Sequence, residues 1–157
     1  MPRILLFTLV LLLGACASDP PPPPPTLVEL TLMASDQLNP TALGSAAPLR
    51  IKLYQLKGTA TFDRADFFAL FDKGSATLGA ELVEEEELLV RPGETLTLQR
   101  EIDSTASHLG VVAGFRDLDR AIWRRAVAVA PQQTTRMIIT FDARSVVIAP
   151  APTPAAK

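Results

Sequence analysis

The one cysteine of this 157-residue chain, Cys16, directly follows Leu13-Gly14-Ala15. An aliphatic residue and two small ones before a cysteine form the pattern of a lipoprotein box. The small residues let the backbone enter a peptidase cleft, and the thiol can take a thioether-linked diacylglycerol. Upstream, Arg3 precedes an apolar run from Ile4 to Leu13 that only Thr8 interrupts. As a helix that run would rise about 15 Å, half of a hydrocarbon core, so residues 1–15 read as an export signal and not as a span. The competing reading of Cys16 is a plain free or buried thiol. A lone cysteine excludes an intrachain disulfide, which is unusual for an oxidising compartment unless the residue has another role. Ala17 stands where aspartate would favour retention at an inner membrane, so the expected location is the periplasmic face of the outer membrane, held by lipid.

Other reactive groups are sparse. His108 is the only histidine, which removes every two-histidine metal site and leaves one base for Ser104 or Ser107. No G-x-S-x-G turn accompanies them, and Cys16 is committed to lipid, so no catalytic residue is assigned. Glu84 to Glu87 lack the spacing of a calcium loop and read as a solvated bulge or edge segment whose charge discourages edge-to-edge pairing. Gly110 and Gly114 make no phosphate-binding fingerprint. No metal, cofactor or small-molecule substrate is expected. Lysine plus arginine total 15 against 17 acidic residues, and cutting at Cys16 removes Arg3, so nothing in the charge balance points to nucleic acid.

The elements that would carry any function begin after a tether. Residues 16–25 hold the lipidated cysteine and six prolines, Pro20 to Pro25, a polyproline II spacer of about 19 Å or a docking site for a proline-recognising domain. Residues 26–149 suffice for one domain, and 150–157, alternating proline with small residues, read as a disordered tail. Strict alternation marks strands at Leu27–Met33 and Leu49–Leu56. Further strands are expected at 88–90, 94–101, 109–115, 123–130, 134–141 and 144–148. The stretch from Phe62 to Phe71 breaks this rhythm. It puts Phe67, Leu70 and Phe71 on one helical stripe, with Thr61 or Asp63 as the cap. The expected fold is all-β, a two-layer sandwich of about eight strands with one principal inserted helix, and Trp123 is placed in the core or across the end of the sandwich.

One connection is too long for a hairpin. Asp36, Gln37, Leu38, Asn39, Pro40, Thr41, Ala42, Leu43 and Gly44 lie between the first two strands without any period. The segment is either a partner-binding loop, with Leu38 and Leu43 as apolar anchors, or an inert connection. The Arg116, Asp117, Asp119 and Arg120 turn is the second candidate contact. Exchanging Gln37–Thr41 for a Gly-Ser turn is expected to leave the fold intact.

In order along the chain, several motifs resemble those of a known family: the box at Leu13–Cys16, then Leu38-Asn39-Pro40 with Gly44 and Pro48, then Leu49 to Lys57. Phe62 to Leu70, Arg91-Pro92-Gly93-Glu94, Leu109 to Asp117 and Trp123 continue the set. This ordered set resembles the TssJ (SciN) outer-membrane lipoproteins of the type VI secretion system. The resemblance implies a transthyretin-like β-sandwich without catalysis. It further implies that the loop at 36–47 binds the periplasmic C-terminal domain of TssM and so ties the complex with TssL to the outer membrane. A small envelope chaperone or inhibitor of similar fold would instead have other partners, and a ligand carrier would need a sizeable apolar cavity.

Cys16→Ser should abolish labelling by a palmitate analogue and leave a precursor that no longer fractionates with outer membranes. Equal labelling of wild type and variant would refute the lipid assignment.

Overall fold

The structure, a computed structural model, describes residues 21–152, so the signal segment and Cys16 lie outside the described residues. Pro21–Pro25 are exposed and without regular secondary structure, and they lead directly into the first strand. Eight strands follow: β1 Thr26–Ala34, β2 Leu49–Leu56, β3 Leu82–Val90, β4 Thr95–Ile102, β5 His108–Ala113, β6 Arg124–Ala128, β7 Thr134–Phe141 and β8 Val146–Pro150. One helix, α1 Phe67–Leu78, interrupts them between β2 and β3. The strands form two four-stranded sheets, ordered β4-β1-β7-β8 and β3-β2-β5-β6. The expected all-β sandwich with one inserted helix is the observed architecture.

Alternation explains the layers. In β1, Val28, Leu30 and Leu32 point inward with no exposure, and Leu49, Ile51 and Leu53 of β2 and Met137, Ile139 and Phe141 of β7 are likewise buried. These inner faces make the main core. β1 lies between two partners, pairing antiparallel with β4 from Thr26↔Ile102 to Met33↔Thr95 and parallel with β7 from Leu27↔Thr134 to Ala34↔Phe141. The register defines two poles. The entering chain, Ile102, Thr134 and the Leu56–Gly58 turn share one; the 35–48 loop, the Arg91–Glu94 turn, Phe115–Ile122 and the Asp142–Ser145 turn share the other.

The sheet containing β2 also has an apolar outer face, and α1 covers it. Tyr54, Leu56 and Val112 meet Phe62, Leu70, Phe71 and Leu78 in a second core cluster, to which Trp123 adds a partly buried ring. The helix starts later than the stripe suggested. Asp66, not Thr61 or Asp63, is the cap, its carboxylate accepting from the Ala69 N–H at 2.9 Å. Phe62 belongs instead to the preceding turns, where its ring lies edge-on to Tyr54 at 5.8 Å and against Gly110, whose missing Cβ makes the room. Two polar links hold this layer: the Tyr54 hydroxyl donates to Leu70 O at 2.8 Å, and Arg124 donates to the carbonyls of Phe62 and Ala65 at 2.8 and 2.7 Å. Burial pushes the Tyr54 phenol well above its usual range, with Glu85 and Glu87 adding to the effect.

Several strand boundaries differ from expectation. β3 includes the whole glutamate run and not just 88–90, because each carboxylate has a partner on its own side. Glu85 pairs with Lys52, and Glu87 with Arg50 at 2.8 Å, on the outer face; Glu84 accepts from Gln55 at 2.6 Å and Glu86 from Arg100 at 2.6 and 2.8 Å toward β4. β3 is an edge strand, as the charges suggested, and Arg100–Glu86 bridges the two sheets along that open side. β6 starts at Arg124, one residue late. β8 spans Val146–Pro150, two residues later than expected at each end, and the Ala151 N–H donates to Arg136 O at 2.9 Å.

The Arg100 hydrogen bonds hold the Glu86 carboxyl below its ordinary range, and those of Arg50 do the same for Glu87. Carboxyls depressed by folding contribute stability at neutral pH that is lost as pH falls through their folded values. The urea midpoint should therefore drop below about pH 5. Arg100→Gln should flatten part of that fall; an unaltered acid profile in this variant would show the inter-sheet pair to be inert.

Candidate functional site

The loop from β1 to β2 crosses the pole away from the entering chain, and its neck is built into the core. The Leu38 N–H donates to Ser35 O at 3.1 Å, and the Leu38 side chain is fully buried among the inward residues of both sheets. Asn39 follows in the left-handed region, φ 46, where a short carboxamide is tolerated. It is 4% exposed. Its Nδ2 donates to Pro48 O at 2.9 Å and its Oδ1 accepts the Arg116 N–H at 2.8 Å, while the Ala47 N–H reaches Leu38 O at 2.9 Å. Beyond this neck Thr41–Ser45 closes on itself: the Thr41 N–H donates to Ser45 O at 2.8 Å, and Gly44 at φ 82 donates to Thr41 O at 2.9 Å. Leu43, 94% exposed, forms the tip.

This placement divides the expected contact set. Leu38 plugs the end of the core and Asn39 spends its polar atoms inside the fold, so neither offers a free surface to a partner. Exchanging Gln37–Thr41 would remove both and is therefore not neutral to folding. Asp36, Gln37, Ala42, Leu43 and Gly44 are exposed, with Pro40 and Thr41 half-buried. The second candidate, Arg116 to Arg120, is brought against the first by the Asn39–Arg116 bond across 77 residues of sequence. There Asp117 receives Arg144 at 2.8 Å and Arg120 at 3.7 Å, Asp119 is exposed, and Arg116 is exposed with no ion pair among the described residues. Phe67 and Trp123, expected in the core, are partly buried; Leu70 and Phe71 are buried.

Sequence reasoning missed where the free apolar surface lies. Among the described residues the large apolar side chains left exposed are Met33, Leu43, Phe68, Leu89, Ile122 and Val147. Met33 faces Thr95 near the end of β1, Leu89 faces Arg50, Val147 faces Thr140 and Ile122 bridges Ser145, so the register puts all of these toward the loop's pole. Phe68 joins them in a hollow with Pro48 and Arg116. Scattered exposed apolar residues need no explanation, but their gathering at one pole does. Nothing in the alternation pattern separates a buried from an exposed leucine within an aperiodic loop.

The reactive groups are otherwise engaged. Ser107 Oγ lies 2.8 Å from both Lys57 O and His108 Nδ1. The carbonyl can only accept, so the hydroxyl gives its single proton there and accepts from Nδ1–H, the reverse of a base-activated serine. Among the described residues no three metal-ligating side chains gather. The slot between the sheets, beside Gln55 and Arg100, holds about 20 Å³, room for about one water.

Residues 26–144 match the family described as type VI secretion lipoprotein, VasD, EvfM, TssJ, VC_A0113. Comparison with curated protein sequences finds no match. Among solved structures, the type VI secretion lipoprotein TssJ1 from Pseudomonas aeruginosa is 48% identical, with a TM-score of 0.81 over 83% of this chain and 100% of that one. Serratia marcescens Lip, a membrane-bound component of the type VI secretion system, shares the fold at 24% identity, TM-score 0.75, over 82% of this chain and 99% of its own. So does a chain in a structure of the TssM C-terminal domain from EAEC, at 23% identity and TM-score 0.66, over 80% and 99%. The chain belongs to the type VI secretion lipoprotein family.

Leu38→Ala should cost about 2–5 kcal/mol of stability in chemical denaturation, whereas Leu43→Ala should change it by no more than about 0.5 kcal/mol. Equal effects would contradict the division of the loop into a buried neck and a free tip.

Proposed function

We propose that this type VI secretion lipoprotein is a non-enzymatic anchor that is held to the outer membrane through Cys16 and binds the periplasmic C-terminal region of TssM. The observation that carries the reading is the polarity of the domain. The chain enters at one pole, and the large apolar groups left exposed gather at the other. A domain tethered to a membrane at one end has its far end free for a partner. The spacer of about 19 Å sets the depth of the layer it searches and keeps the effective concentration high. Occurrence of the same fold in a structure of the TssM C-terminal domain supports the choice of partner. The tie to TssL follows through TssM in this reading.

The contacts fall on the loop tip, Pro40 to Gly44, and on the turn carrying Arg116 and Arg120. Leu43 is the apolar anchor in place of Leu38. Asn39 acts by holding tip and turn in one fixed relation, so that binding does not have to order them.

Replacing Thr41–Ser45 with a Gly-Ser turn spares the neck and should leave circular dichroism unchanged. It should weaken calorimetric binding to the TssM C-terminal region by at least about tenfold, or 1.4 kcal/mol. Full affinity in a folded variant would move the contact away from the loop.

A further inference from the structure

The first two residues of α1 have opposite surroundings. Phe67 stacks on Phe71 at 4.9 Å and meets Trp123 edge-on at 5.4 Å. Phe68 is 63% exposed, and its aromatic neighbour is the edge of Phe67 at 5.3 Å. It stands between two shallow hollows. One has Pro48, Phe71, Leu118 and Arg116 in its walls; the other has Asp66, Ala69 and Asp72. The first also includes Asn39, so it continues sideways from the loop neck and the Arg116 turn without a break.

The helix start that carries Phe68 is fixed on three sides, by the Asp66 cap, by Arg124 on the carbonyls of Phe62 and Ala65, and by Tyr54 on Leu70 O. An aromatic ring on a rigid support with an open hollow beside it loses little freedom on binding, and aromatic residues and arginine are enriched at the centres of interfaces. The first hollow carries charge of both signs. Asp72 lines it together with Arg50, which is already held by Glu87, whereas Arg116 has its backbone N–H fixed on Asn39 and its guanidinium free of ion pairs among the described residues. An occupant with an apolar side chain and a nearby carboxylate fits both features.

We propose that Phe68 and the Pro48–Phe71–Leu118 hollow form a second docking element for the same partner, taking an extended segment of the TssM periplasmic region that carries an apolar side chain and a carboxylate for Arg116. The proposal rests on the anchoring function proposed above. It enlarges the contact from a loop tip to a surface that wraps from the pole onto the helix layer.

The test places a benzophenone amino acid at position 68 of the full-length lipoprotein in cells carrying the whole secretion complex, with positions 43 and 133 as comparisons. Irradiation should give an adduct with TssM from positions 68 and 43 and none from 133, which lies at the other pole. An adduct from 43 alone overturns the second element and leaves the loop reading standing. Adducts from neither overturn both, and an adduct of position 68 with a second copy of this chain overturns the assignment of the partner. In parallel, Phe68→Ser in the full-length lipoprotein should lower affinity for the TssM C-terminal region at least about tenfold without shifting thermal unfolding. Unchanged affinity would overturn the proposal.

Discussion

The carboxamide of Asn39 is the joint on which the far pole of this domain depends. One side of it closes the loop neck on Pro48, and the other holds the Arg116 N–H. Leu38 next to it is sunk in the core, so the joint cannot slide. A buried carboxamide with both ends satisfied fixes geometry in a way that apolar packing alone does not, since losing either partner would leave a desolvated polar atom. Two segments far apart in sequence thereby become one surface, and the groove beside α1 shares its wall.

The helix layer extends the same logic. A two-sheet sandwich leaves two outer faces, and in this chain the face of β2 and β5 is too apolar to meet water, with Tyr54, Leu56 and Val112 all at zero exposure. α1 is the cover. Gly74 lets it come close, because a Cβ there would lie 2.7 Å from Glu85 Oε2 and 3.1 Å from the Tyr54 ring. Covering the sheet in this way also sets where the helix starts, next to Pro48 and Arg116, and so brings the helix layer to the pole.

Much of this was legible from residue order. Period-two alternation marked β1, β2 and β7 to within a residue at each end, since one face of each is fully buried. β3 was hidden because its four glutamates are answered by Arg50, Lys52, Gln55 and Arg100 from other strands, and no local pattern reports such partners. Phe62 opens the segment that breaks the strand rhythm, yet it packs from a turn into the space left by Gly110. Leu38 and Leu43 are the same residue type five positions apart in one aperiodic loop. Their opposite burial follows from the tertiary position of the neck, which sequence spacing does not encode.

Mechanical load brings out what the central position of β1 means. Tension reaching the domain through the residues before Thr26 enters along the axis of a strand flanked on both sides, with eight register pairs toward β4 and eight toward β7. Inter-strand hydrogen bonds lie across the strand, so a pull along it strains both ladders in shear together and does not peel them one bond at a time. An edge strand in the same place would put the whole load on a single ladder. The domain is thus stiffest along the line from its entering segment to the pole that Asn39 braces.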